Sequence, residues 1–103
     1  MSLVNKQSKF TFALARLLLY AESLGYQVTL GDAYATTGHI EGSFHYKRLA
    51  IDLNLFIDGE YIRDSRGHDR LGVFWKLLGG SWGGDFPNKD FNHYSWGESR
   101  EDE

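Results

Sequence analysis

At 103 residues the chain is long enough for one small domain and too short for two. With 42% hydrophobic and 16% aromatic residues it is too apolar to stay disordered, and 11 basic against 14 acidic residues leave no basic footprint for nucleic acid. The absence of cysteine removes disulfides, thiol nucleophiles, Cys-based zinc fingers and iron–sulfur clusters, so any metal must be held by carboxylates and by His39, His45, His68 or His93.

From about residue 8 to 24 the apolar side chains Phe10, Ala13, Leu14, Leu17, Leu18, Ala21 and Leu24 recur at i, i+3, i+4 spacing, which predicts an amphipathic helix. Lys6 and Lys9 ahead of this tract resemble the start of a signal peptide. Arg16 interrupts the tract, however, and the spacing is that of a folded helix, so neither a cleaved signal nor a membrane span is expected. Gly25 is placed to end the helix in the left-handed region. The run from Tyr26 to Leu30 alternates as a strand does, and Gly31 to Ser43 is a small, polar, glycine-containing loop.

Leu49 to Ile57 is the clearest strand. One face is uniformly aliphatic (Leu49, Ile51, Leu53, Leu55, Ile57), while the other carries Ala50, Asp52, Asn54 and Phe56. Asp58-Gly59 is a type I′ turn signal, and Glu60 to Ile62 returns as the hairpin partner. A second helix is expected over about Asp69 to Leu78, on the stripe Leu71, Phe74, Trp75, Leu78, with Gly79-Gly80 stopping it. Ser81 to Lys89 is turn-rich, a short strand follows near Asn92 to Trp96, and a polar tail begins at about residue 97. Helices and hairpin-joined strands without a βαβ rhythm predict an α+β class, with residues 1–103 as a single domain.

Asp is depleted in strands, so Asp52 between Ile51 and Leu53 stands out, although an exposed Asp on a solvent-facing sheet is the plain alternative. His45 lies an odd number of positions earlier and joins Asp52 on one side only if the chain bends between Tyr46 and Leu49. Asp90 and His93, three apart, can share one side of a turn. His39 in the polar loop and His68 near the second helix are expected at the surface. Trp82, Tyr94 and Trp96 line either a groove or the core. A set of two His and two Asp suits zinc, which takes imidazole nitrogen and carboxylate oxygen at about 2.0–2.2 Å and in catalytic sites keeps a fourth position for water.

The segment Ser43-Phe-His45-Tyr-Lys-Arg-Leu-Ala50-Ile-Asp52 resembles the SxHxxxxAxD motif of zinc peptidases of the D-Ala-D-Ala carboxypeptidase and VanY type. Trp82-Gly-Gly-Asp85-Phe followed by Asp90-Phe-Asn-His93 is similar to their second motif, most of all to that of phage endolysins that cut the L-alanyl-D-glutamate bond of peptidoglycan. Two motifs in this order, a hairpin and a helix apart, are far more specific than a lone His–Asp pair. The resemblance implies a small α+β domain with an antiparallel sheet carrying a zinc site and helices packed on one side. It implies His45, Asp52 and His93 as zinc ligands, Asp90 as general base, and Ser43 as support for the ligand shell. Asp85 competes with Asp90 for the base role, and the spacing to His93 favours Asp90.

One departure stands out. Relatives often carry an Arg after the segment matching Gly31-Asp-Ala-Tyr34, where this chain has Ala35, and no Arg occurs between Arg16 and Arg48. Either Arg48 reaches the site from the bend or zinc alone stabilises the oxyanion. The resemblance implies a peptidase of peptidoglycan stem peptides. A monomer is expected because the reaction needs nothing from a second subunit, and without a signal peptide the protein is expected in the host cytoplasm until the membrane is breached, and then at the cell wall. A D-alanyl-D-alanine carboxypeptidase, a non-catalytic binding module of the same fold and a two-carboxylate glycosidase are the alternatives.

Overall fold

The computed structural model describes residues 2–32 and 48–96. Among them lie helix α1 (Leu3–Ser23), strands β1 (Gln27–Leu30), β2 (Ala50–Ile57) and β3 (Glu60–Tyr61), helix α2 (His68–Leu78), strand β4 (Gly80–Trp82), a 3-10 turn at Gly83–Asp85, and strand β5 (His93–Trp96). This is the α+β class expected from the sequence. None of the described helices is long and apolar enough to cross a membrane.

Helix α1 starts at Leu3, ahead of the start at about residue 8 that the apolar period predicts. Ser2 caps it, its hydroxyl accepting from the Asn5 N–H at 3.2 Å, while the first-turn residues Leu3 and Val4 stay exposed. Its far end closes in a Schellman motif. Gly25, at φ +80°, donates to Glu22 O and Tyr26 donates to Ala21 O, so two of the last helical carbonyls are satisfied and the chain turns directly into β1.

The sheet is antiparallel throughout, in the order β1-β2-β5-β4, with β3 paired to the far end of β2. Asp58 and Gly59 both have positive φ (51° and 81°), as the type I′ turn requires. Alternation along β2 is as the sequence indicates: Ile51, Leu53 and Leu55 are buried, whereas Asp52, Asn54 and Phe56 are only partly covered. The aliphatic face of β2 joins Phe10, Ala13, Leu17 and Ala21 of α1 and Leu71 and Trp75 of α2 in one core, which puts both helices on that face. Fully burying each large aliphatic or aromatic side chain contributes about 1.5–3 kcal/mol.

Strand β4 lies inside what reads from sequence as a turn-rich segment. It forms because Trp75 sits at the core with its indole N–H shared between Ser81 O (3.1 Å) and Ser95 O (2.8 Å), which ties β4 and β5 to α2. Phe10 meets the same indole edge-on at 5.8 Å.

Candidate active site

The non-core face of the sheet presents Asp52 and His93. They are direct partners across β2 and β5, so their side chains leave the sheet on the same side. The Asp52 N–H and C=O are both engaged on the opposite edge, with Asp32 O at 3.0 Å and Gly31 N at 2.7 Å. The Asp52–His93 pair is therefore of the non-hydrogen-bonded kind, in which facing side chains approach most closely.

His93 Nδ1 stands 3.7 Å from Asp52 Oδ1, with the His93 side chain 6% and the Asp52 side chain 24% exposed. That separation is too long for a hydrogen bond. Two ligand atoms bound to one tetrahedral zinc would stand about 3.3–3.6 Å apart. The donor types thus suit a metal, and the pair stands just beyond the separation that a shared ion would set. Among the described residues there is no group of three or more His, Cys, Asp and Glu able to hold an ion. His45, the remaining ligand expected from sequence, lies outside the described residues, as do Ser43, His39 and Ala35.

Arg48 is described. It is exposed and adopts φ +57° immediately before β2, an uncommon left-handed conformation that turns the chain inside the Tyr46–Leu49 window where a bend is expected.

Asp90 and His93 close a turn, the His93 N–H donating to Asp90 O at 3.1 Å. The glycine-rich half of the motif clamps this turn from behind. Asp90 N–H donates to Gly83 O (2.9 Å), the Trp82 indole N–H to Phe91 O (2.8 Å), and Lys89 Nζ to Gly84 O (3.0 Å). A Cβ on Gly83 would overlap the Asp90 carbonyl oxygen and crowd His93 Cβ, so only glycine permits the approach. Trp82 is 7% exposed and packs in the core, which makes it a brace for the turn and not the wall of a groove.

Asp85 is turned away from this cluster. Its carboxylate pairs with Lys76 of α2 at 2.9 Å, both side chains well exposed. Phe86, not singled out from sequence, is buried with its ring 5.4 Å from the His93 imidazole and supports that ring. The motif Trp82-Gly-Gly-Asp-Phe contains it, but an aromatic in a turn carries no separate signal.

His68 corrects a sequence expectation. It is 1% exposed, beneath the surface where its charged neighbours Asp69 and Arg70 lie, and its Nδ1 is 2.7 Å from Tyr94 Oη. Burial pushes the imidazole down to about 4 and raises the Tyr94 phenol well above its ordinary range.

The small α+β fold thus sets a carboxylate and an imidazole facing each other across two strands, with a second carboxylate one turn away along the chain. A family model described as D-alanyl-D-alanine carboxypeptidase matches residues 36–96, which include Asp52, Asp90 and His93. The match covers more than half of the chain, and the chain belongs to this peptidase family, whose members are generally zinc-dependent. No curated protein matches it.

Proposed function

We propose that the protein is a zinc peptidase of peptidoglycan stem peptides, an L-alanyl-D-glutamate endopeptidase of the phage endolysin type. The observation that carries the hydrolytic reading is the Asp52–His93 pair, with Asp90 closing the same turn as His93, all inside the segment the peptidase family matches. His45, Asp52 and His93 would hold the metal. When bound, zinc supplies Lewis acidity and makes water a usable nucleophile near neutral pH.

The protein's own groups do the rest. Asp90 takes the proton of the attacking water and returns it to the leaving amine. Gly83 O holds the Asp90 N–H, and the Trp82 indole holds the carbonyl of the next residue, Phe91, while it does so. Phe86 limits the freedom of the His93 ring. In this reading the enzyme acts as a monomer at the cell wall, reached once the host membrane is breached.

A D-alanyl-D-alanine carboxypeptidase is the second reading, favoured by the description of the matching family. It needs the same groups and differs in the bond presented to them. Mass spectrometry of fragments released from purified sacculi, with and without a zinc chelator, separates the two. Chelator-sensitive peptides beginning at D-Glu are expected. Free D-Ala instead would establish the carboxypeptidase, and no release from folded, zinc-supplemented protein would leave a binding module of this fold. Release that persists under chelation would point to the two-carboxylate glycosidase.

A further inference from the structure

Beside the Asp90–His93 turn the surface opens into a cavity of about 340 Å³, lined among others by Tyr61, Arg63, His68, Lys89, Asp90 and Asn92. It occupies the notch along β2 between the end of β3 and the start of β5, where the β2 edge is met by Asn92 O and the Ile62 N–H. Its charges are unusual for this molecule. Acidic residues outnumber basic ones 14 to 11, and nearby cations are neutralised: Arg66 by Glu60 and Asp64, Lys76 by Asp85. Arg63 and Lys89 have no carboxylate partner among the described residues. Arg63 is laid over the Tyr61 ring at 5.4 Å, and Lys89 gives one N–H to Gly84 O, leaving two of its donors. The carboxylate on the cavity wall is Asp90, the candidate base.

We infer that this cavity is the subsite for a free carboxylate of the substrate, with Arg63 and Lys89 as specificity-determining residues. The inference rests on the peptidase reading and deepens it. In an L-alanyl-D-glutamate bond the carbon bearing the scissile nitrogen also bears a free carboxylate, because the D-glutamate continues the chain through its side chain. A carboxylate so placed lies one carbon from the amine that Asp90 protonates, which matches a pair of cations adjoining Asp90. Asn92 supplies an amide that can hydrogen-bond the same group. Charge-assisted hydrogen bonds are about twice as strong as neutral ones, so the subsite selects the carboxylate over its carboxamide.

The test titrates the zinc-supplemented full chain with two fragments lacking the scissile bond, γ-D-glutamyl-L-lysine amide and its D-isoglutaminyl counterpart, by calorimetry. Tighter binding of the carboxylate fragment by about tenfold or more is expected. Arg63→Gln with Lys89→Gln, which keeps a donor for Gly84 O, should erase that preference while leaving the melting temperature unchanged. Equal binding of the two fragments, no measurable binding of either, or a preference that survives both substitutions would overturn the inference. Intact stem peptide is then offered to the same protein. Cleavage without a carboxylate preference sinks the subsite and spares the peptidase reading, whereas a preference lost in the double variant without any cleavage sustains the subsite and sinks the peptidase.

Discussion

Two aspartates five positions apart occupy opposite circumstances. Asp85 spends its charge on Lys76 at the surface, where an ion pair is worth about 0–1 kcal/mol, so Asp85→Asn should leave cleavage unchanged and stability within that margin. Asp90 is half-buried beside His93 and holds its turn through backbone groups alone. Asp90→Asn should therefore melt as the wild type does and lose about 10²–10⁴-fold in turnover, as measured by kinetics alongside circular dichroism. His68 gives a prediction of a different kind. In the unfolded chain it takes a proton below about 6.5, but in the folded protein burial delays this to about 4. Acid therefore favours unfolding between those two values, by up to about 3 kcal/mol from this residue. Urea titrations at pH 7, 5.5 and 4 should show that loss in the wild type and a shallower one in His68→Gln.

At the level of elements, local signals were legible and long-range ones were not. Gly25 and the Asp58-Gly59 pair do what their conformational freedom implies, and the alternation along β2 sorts its two faces as observed. The start of α1 is set by a Ser2 cap and not by apolar period, so periodicity placed it late. Strand β4 was hidden because Gly80-Ser81-Trp82 is too short to alternate and depends on hydrogen bonds from Trp75, a residue in another element. His68 read as surface because no local pattern reveals a partner 26 residues away in Tyr94. Asp52, Asp90 and His93 were legible through motif spacing, while the cavity lined by Arg63 and Lys89 was not, since only the fold joins the hairpin to the Asp90 turn. Gly83 tests how tightly these elements are coupled. Gly83→Ala should cost about 1–3 kcal/mol by overpacking against the Asp90 carbonyl. Activity should fall further than the stability loss accounts for, because the same methyl displaces Asp90 and His93 together. Chemical denaturation and initial rates measured on one preparation would read both.

At the scale of the whole molecule, a metal bound between β2 and β5 would stabilise the folded chain by mass action. Chelation should lower the melting temperature by at least about 4 °C, reversibly on adding zinc, and calorimetry should find Asp52→Asn indifferent to chelator. The facing of Asp52 and His93 has a further consequence. A slip of one residue between these strands would carry Tyr94 to the outer face and drive His93 toward the helices. An ion that needed both side chains would be captured only by a correctly aligned sheet, so under the zinc reading metal loading would double as proofreading of strand alignment and would leave misaligned chains both unloaded and inactive.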